Sequence, residues 1–195
     1  VVLNNLEFDH ADIFPDLAAI QTQFHHLLRT VPSLGRVILP HGEAALEETL
    51  ARGCWSEVER FGEQADPGYR LERPDGSRFT VMEKGTDIAV VDWSLTGRHN
   101  VNNAMAALLA ARHVGVTLED GAAALGRFQG GKRRMELRGE VDGVRVYADL
   151  AHHPTATSSP LDCLLPPVGP APAPGVIRPR ANTQRAAARR LGNGC

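Results

Sequence analysis

Residues 97–116 read GRHNVNNAMAALLAARHVGV, and their pattern predicts a buried helix. The apolar positions recur at the i, i+3, i+4 spacing of one helical face, and the alanines allow a neighbouring backbone to approach closely. These apolar positions are Val101, Ala104, Met105, Leu108 and Leu109. Gly115 is placed to end the helix as its C′ residue.

The start of this helix carries more polar side chains than a cap requires, namely His99, Asn100, Asn102 and Asn103. The free N–H groups and the dipole of a helix N-terminus favour bound anions. Two amide side chains three residues apart could also read the edge of a nucleobase. The alternative interpretation is an N-cap region with surplus amides.

Composition places the chain among globular proteins of one large or two small domains, with 195 residues, 43% hydrophobic and 23% charged. The net charge is −2, and the 21 basic residues include only two lysines, Lys84 and Lys132, which indicates a GC-rich coding sequence more than a nucleic-acid surface. No window approaches the ~18 apolar residues of a membrane span, and the first residues do not resemble a secretory signal. We therefore expect a cytoplasmic protein that binds no nucleic acid; the oligomeric state is not predicted.

The three cysteines, Cys54, Cys163 and Cys195, are odd in number and far apart. Their spacing predicts neither a disulfide framework nor a thiolate zinc site.

The first part of the chain alternates between strand and helix patterns. Residues 1–3 resemble a buried strand, and residues 35–40 resemble another. The helix between them is marked by Leu17, Ile20, Phe24, Leu27 and Leu28. A short helix with Leu46 and Leu50 facing inward follows the second strand. This alternation predicts a parallel sheet.

The pattern then changes to short strand-like runs at residues 56–61, 69–73, 78–83 and 87–93. A Pro74-Asp75-Gly76 turn separates two of these runs. The four runs together predict a small antiparallel meander that leads into the helix at 97–116.

A second helix is predicted after it, because Thr117 and Asp120 resemble a capping box. Residues 126–132 fit G-x-x-x-x-G-K, but Arg133 replaces the required Ser or Thr, and the segment follows a helix and not a strand. We therefore reject it as a phosphate-binding loop. A domain boundary is placed near Gly130.

Residues beyond this boundary begin with a predicted hairpin. Runs at 135–138 and 144–147 flank Asp142-Gly143, a strong hairpin signal. Prolines interrupt the sequence after residue 157, and we expect residues 158–195 to be poorly ordered.

Two polar clusters follow predicted strands, at the ends where open α/β sheets bind ligands. The first consists of Glu7, Asp9, His10 and Asp12, and the second of Asp149, His152 and His153. Carboxylates and imidazoles suit a divalent metal or acid–base chemistry. For the first cluster the alternative is helix capping. In the second, adjacent histidines in an extended segment point opposite ways, which argues against a metal site.

Three separated segments together resemble the Mur ligase family, in order and at similar spacing. They are Asn5-x-x-x-Asp9-His10, then Gly97-Arg98-His99-Asn100-x-x-Asn103-Ala104-x-Ala106-Ala107, then Arg133-Arg134-x-Glu136 followed by Asp149-x-Ala151-His152-His153-Pro154-Thr155. The resemblance implies an α/β fold, with residues 1–129 forming the C-terminal part of a P-loop-type central ATPase domain that contains a parallel sheet and a small antiparallel meander. Residues 130–157 would begin a Rossmann-like C-terminal domain, and residues 158–195 would be a divergent tail.

The resemblance also implies ATP and Mg²⁺ as cofactors and assigns roles to seven residues. His10 matches a catalytic position that helps to hold Mg²⁺, and Asn100 and Asn103 match positions near adenine. From the C-terminal domain, Arg134 and Asp149 match contacts to ATP. His152 and His153 match a catalytic loop. The sequence departs from the family at Ala148, where an aspartate is usual.

The sequences of residues 5–14 and 23–27 resemble those of one branch of the family. Its members join UDP-N-acetylmuramate to the murein tripeptide L-alanyl-γ-D-glutamyl-meso-diaminopimelate through an acyl phosphate. The alternatives are a UDP-N-acetylmuramate–L-alanine ligase, a non-catalytic nucleotide-binding remnant and a metallohydrolase built on His10, His152 and His153.

The family's phosphate loop, the glutamate that shares Mg²⁺ and the UDP-sugar domain would precede Val1. We therefore expect the purified 195-residue chain to show no ATP-dependent ligation, as measured by ADP release with both substrates. Ligation by this chain alone would contradict the expectation.

Overall fold

The computed structural model describes residues 1–131, 136–142 and 144–148. The chain divides into two compact units. The first contains Val1–Phe8 and Phe14–Phe128, and the second contains Asp9–Ile13 and the chain from Gln129 onward. The predicted tail at 158–195 lies outside the described residues.

A parallel pair of strands forms the centre of the first unit. The elements run α1 (Leu17–Leu28), β1 (Arg36–Pro40), α2 (Ala44–Ala51) and β2 (Glu57–Phe61). Strands β1 and β2 pair in parallel register. Parallel strands require a crossover, and α2 supplies it.

The strand predicted at residues 1–3 is shorter and more exposed than expected. It joins β1 through one parallel bridge, with the Leu3 N–H donating to the Ile38 carbonyl at 2.9 Å. Leu3 is buried, but Val1 and Val2 are 42% and 40% exposed. The prediction of a buried strand was therefore wrong for its first two residues.

The assignment of β2 to the meander was also wrong, because β2 pairs in parallel with β1. The short strand-like run at residues 56–61 is typical of an antiparallel strand, which was the basis of that prediction. Instead, the side chain of Glu59 is only 9% exposed and pairs with Arg36, at 3.0 Å, and with Arg112. Ion pairing within the fold therefore explains the charge of Glu59.

Helices cover both faces of the parallel sheet. Successive residues of β1 point to opposite faces and therefore enter two different cores. Val37 and Leu39 are fully buried in a core formed with α1 and α2. Ile38 belongs to a second core, which contains Phe61, the meander and the next two helices. Leu27, predicted to face the core, is 43% exposed, since it lies at the edge of the helical face that α1 buries.

The meander is confirmed for its last three strands, β3 (Gly68–Leu71), β4 (Arg78–Glu83) and β5 (Thr86–Asp92). They form one antiparallel sheet in the order β3-β4-β5. Phe79 is fully buried at the centre of an aromatic cluster, with its ring centroid 6.2 Å from that of Tyr69 and 5.7 Å from that of Trp93. Edge-to-face contacts of this kind add to the burial of apolar area.

The helix predicted from the opening stretch is confirmed as α3 (Arg98–His113), and all five of its predicted apolar residues are buried. It ends in a Schellman motif, in which the N–H of Val116 reaches the Ala111 carbonyl and the N–H of Gly115 reaches that of Arg112. Gly115 has φ +99°, as this end requires.

The second predicted helix is confirmed as α4 (Leu118–Leu125). The Thr117 hydroxyl accepts the Asp120 N–H at 3.1 Å and donates to the Asp120 carboxylate at 2.9 Å. This geometry matches the predicted N-terminal cap.

The described part of the second unit contains the predicted hairpin, formed by β6 (Glu136–Val141) and β7 (Val144–Ala148) in antiparallel register. Asp142, in the connection, has φ +50°, the left-handed conformation that two-residue hairpin turns demand.

Among the helices of the described ranges, none combines the length and apolar content needed to cross a bilayer.

We predict that Phe79→Ala lowers the free energy of unfolding of the first unit by about 3–5 kcal/mol, because it removes the centre of the aromatic cluster. Guanidinium unfolding followed by tryptophan fluorescence measures this, since both tryptophans lie in that unit. Leu34→Ala, at a side chain 92% exposed, is the control and should change the value by less than about 0.5 kcal/mol. Equal losses in the two variants would contradict the prediction.

Candidate functional site

The start of α3 is fixed by the turn between β3 and β4. Gly97, the N-cap, has φ +96° and donates its N–H to the Asp75 carbonyl at 2.6 Å. A Cβ on Gly76, which has φ +78°, would lie 3.0 Å from Val101 Cγ2, so the turn packs directly against the first helical turn. Trp93 Nε1 donates to the Gly76 carbonyl at 3.1 Å and holds the turn from the other side. The meander therefore determines where α3 begins.

The Asp75 carboxylate stabilises this turn. Its Oδ1 accepts hydrogen bonds from the Ser77 N–H at 2.9 Å and from the Ser77 hydroxyl at 2.7 Å. The Ser77 backbone N–H is the main reason that the pKa of Asp75 lies below its ordinary value. An ionised carboxylate is thus part of the structure that supports the helix N-terminus.

Asn100 has a defined amide orientation. Its Nδ2 donates to the Thr96 carbonyl at 2.7 Å. A carbonyl can only accept, so the NH₂ group must face Thr96. The Oδ1 of Asn100 meets no donor within the described part of the chain and remains as an acceptor.

Asn103 contacts Asn4, which follows the short segment at residues 1–3 that bridges to β1. Its Oδ1 accepts a hydrogen bond from Asn4 Nδ2 at 2.9 Å, and both side chains are exposed. Among the described residues, the NH₂ group of Asn103 has no partner, so it remains as a donor. Asn100 and Asn103 lie one turn apart, where side chains of a helix are neighbours.

Asn102 has a different role, because its Oδ1 accepts the Tyr69 hydroxyl at 3.0 Å and so ties α3 to the meander. Burial raises the pKa of Tyr69, with a further contribution from Glu63. The polar start of α3 thus divides into a fold-supporting amide, Asn102, and two amides, Asn100 and Asn103, that keep hydrogen-bonding capacity.

The start of α3 lies at the carboxyl edge of the parallel strands. Arg98 forms an ion pair with Glu63, which follows β2, and this bond raises the pKa of Arg98. Asn4, the partner of Asn103, follows Leu3 and the first parallel segment. Open α/β sheets bind ligands at this edge.

The segment Asp9–Ile13 forms a tight turn of its own. His10 has φ +54°, and its N–H donates to Asp9 Oδ1 at 2.7 Å. The Ile13 N–H reaches the His10 carbonyl at 2.8 Å. A histidine in the left-handed region is uncommon, and such residues concentrate at functional sites.

His10 and Asp9 are the metal-binding candidates of this turn. The imidazole is 57% exposed, and its Nε2 lies 3.9 Å from Asp9 Oδ2. The described residues contain no group of three or more side chains suited to a metal. Magnesium commonly takes one or two protein carboxylates, with phosphates and water completing its shell, so this pair fits Mg²⁺ only together with a bound phosphate. The role predicted for His10 stays a prediction.

The remaining candidates, Arg134, Asp149, His152 and His153, lie outside the described residues, and their roles stay predictions.

Sequence reasoning missed Asn4 and Thr96, the two partners that orient the amides. Asn4 follows a predicted strand and adjoins Asn5, and that position was a usable signal. Thr96 contributes a backbone carbonyl, and its side chain gave no indication of this role.

The sequence from residue 1 to 111 matches the model of the Mur ligase middle domain. The chain therefore belongs to the Mur ligase family, and the predicted α/β fold class is confirmed.

Two relatives are similar over most of this chain. The chain is 51% identical over 186 residues to the UDP-N-acetylmuramate–L-alanyl-γ-D-glutamyl-meso-2,6-diaminoheptandioate ligase of Escherichia coli (strain K12), a match that covers 95% of this chain and 41% of that protein. The crystal structure of a murein peptide ligase from Psychrobacter arcticus 273-4 has a TM-score of 0.64 and 46% identity, covering 83% of this chain and 33% of that one.

A relative with a different name is more distant. The UDP-N-acetylmuramate–L-alanine ligase of Salinibacter ruber (strain DSM 13855 / M31) is 35% identical over 169 residues, covering 83% of this chain and 34% of that protein. The chain spans about two fifths or less of the length of each of these relatives.

We predict that Asp75→Asn destabilises the first unit at pH 7 and that the loss shrinks as the pH falls below about 3.9. The folded pKa of Asp75 lies below the unfolded value of about 3.9, so its carboxylate stabilises the fold above that pH and loses this effect as the pH falls through the folded pKa. Guanidinium midpoints of both proteins at several pH values give the difference.

Glu43→Gln is the control, because within the described residues the Glu43 side chain makes no capping hydrogen bond. A loss in Asp75→Asn that is independent of pH would contradict the assignment.

Proposed function

We propose that the protein containing this chain is an ATP-dependent ligase that joins UDP-N-acetylmuramate to the murein tripeptide L-alanyl-γ-D-glutamyl-meso-diaminopimelate. The supporting observation is the 51% identity, over 95% of the chain, to a relative named for this reaction. The relative named for L-alanine is only 35% identical.

The nucleotide part of the proposal rests on the two amides of α3. Asn100 keeps an acceptor, and Asn103 keeps a donor, at the carboxyl edge of the sheet. Adenine presents an amino donor beside ring-nitrogen acceptors, which is the complementary arrangement. We infer that this helix N-terminus receives the adenine of ATP.

The other proposed contacts belong to the second unit. His10 would take part in holding Mg²⁺, which when bound neutralises charge on the transferred phosphate. Arg134 suits ATP phosphate because guanidinium binds phosphate in bidentate fashion, and Asp149 suits ribose hydroxyls. His152 and His153 are proposed for the catalytic loop.

We propose the corresponding domain organisation, in which residues 1–129 belong to the central ATP-binding domain and residues 130–157 begin the C-terminal domain.

The proposed reaction has two steps. The carboxylate of UDP-N-acetylmuramate attacks the γ-phosphorus of ATP, which gives an acyl phosphate and ADP. The tripeptide amine then attacks the acyl carbon, the C–O bond to phosphate breaks, and the amine proton is released as the amide and inorganic phosphate form. Each step proceeds by positioning and by stabilisation of developing charge.

The proposal is tested with the intact protein, in which this chain carries its flanking sequence. ADP release and the ligated product are measured with UDP-N-acetylmuramate and either the tripeptide or L-alanine. We expect ligation with the tripeptide and not with L-alanine. Ligation with L-alanine alone would make the protein the other ligase, and ATP binding without any ligation would indicate a non-catalytic remnant.

We predict that Asn103→Ala in the intact protein raises KM for ATP about 3- to 10-fold, the effect of one lost hydrogen bond to the base. The KM values for the sugar nucleotide and the tripeptide should not change. His113→Ala is the control, because His113 is exposed in the last turn of the same helix. An unchanged KM for ATP in Asn103→Ala would place adenine elsewhere.

A further inference from the structure

We propose that Asn4 is a positioning residue that orients the Asn103 amide and thereby sets the preference for adenine over a 6-oxopurine. This inference rests on the proposed function, since it concerns the base that α3 would receive. Its basis is the hydrogen bond of 2.9 Å from Asn4 Nδ2 to Asn103 Oδ1, across 99 residues of sequence.

The backbone of Asn4 is fixed, although its side chain is exposed. The N–H of Ile38 donates to the Val1 carbonyl, and the N–H of Leu3 donates to the Ile38 carbonyl, each at 2.9 Å. Leu3 and Leu6 on either side are buried in the core beneath α1 and α2. This backbone keeps the Asn4 side chain beside Asn103, and in the structure that side chain presents its NH₂ group to Asn103 Oδ1.

An unrestrained asparagine amide can present either its oxygen or its NH₂ group to a ligand, because a half-turn exchanges them at little cost. Asn100 is restrained by the Thr96 carbonyl, which accepts only. Asn103 is restrained by the NH₂ group of Asn4 and by no other described side chain. Without Asn4, the donor of Asn103 would not be fixed toward the ligand.

The two restraints together define an ordered pair, an acceptor on Asn100 and a donor on Asn103. Adenine would donate from its amino group to Asn100 Oδ1 and would accept, through a ring nitrogen, from the NH₂ group of Asn103. In hypoxanthine an oxygen replaces the amino group, so two acceptors would face each other at Asn100. Buried or half-buried acceptors left without a donor weaken binding.

The competing explanation is that Asn4 only joins the strand end to α3. Asn4→Asp separates the two explanations, because aspartate has the same shape as asparagine but only accepts. The Asn103 amide must then turn its NH₂ group toward residue 4 and present its oxygen to the base. A joining role would survive this change, and an orienting role would not.

The experiment uses the intact protein with saturating sugar nucleotide and tripeptide, and kcat and KM are measured with ATP and with inosine triphosphate. The two nucleotides carry the same triphosphate, so a general charge effect of Asn4→Asp alters both equally. The ratio of kcat/KM for ATP to that for inosine triphosphate reports the base alone. Thermal midpoints are measured for each variant, with His113→Ala as control.

We expect Asn4→Ala to raise KM for ATP about 3- to 10-fold with kcat unchanged. The ratio of kcat/KM for ATP to that for inosine triphosphate should fall by a similar factor. Asn4→Asp should lower the ratio at least as far. The control should keep the wild-type ratio.

The assignment of Asn4 would be overturned if Asn4→Asp kept the wild-type ratio of kcat/KM for ATP to that for inosine triphosphate. Equal changes for both nucleotides in Asn4→Ala would overturn it too. In either case, ligation with ATP by the wild-type protein would still uphold the proposed function. If the wild-type protein does not ligate with ATP, the proposed function fails and this inference fails with it.

Discussion

The burial of α3 on two sides is the constraint on which the first unit depends. Val101, Met105 and Leu109 are fully buried, in a core that contains Ile38 and Phe61 of the parallel strands as well as the meander. A helix enclosed in this way cannot slide or rotate without opening voids, because protein interiors are close-packed. The parallel strands, the meander and α4 therefore keep fixed positions relative to both ends of α3.

The two ends of α3 use polar groups in different ways. Near its C-terminus, Arg112 pairs with Glu59 and Glu83, and burial lowers the pKa of this arginine. Glu59 also pairs with Arg36 of β1, so the network joins the helix, both parallel strands and the meander. Removing one member would leave a poorly solvated charge, which is costly.

At the N-terminus, by contrast, the amides of Asn100 and Asn103 keep hydrogen-bonding capacity, because their partners use only one side of each amide. The backbone around them is rigid, since the Asp75 carbonyl holds Gly97 and the bridge to β1 holds the residues before Asn4. Side chains of defined orientation on a rigid support are what selective recognition of a base requires. The ion-pair network thus lies at one end of the helix, and the two amides with remaining hydrogen-bonding capacity lie at the other.

The sequence by itself determined the local elements and the family resemblance. The 3.6-residue period of α3, the Thr117 cap and the Asp142 turn depend on residues within a few positions of each other, so local physics specifies them. Only the tertiary structure decided that β2 pairs with β1, that Asn102 supports the fold through Tyr69, and that Asn4 meets Asn103. These outcomes depend on contacts between residues 21 to 99 positions apart. A one-dimensional pattern shows which groups are polar, but not which partner each group meets, because packing of the whole chain makes that choice.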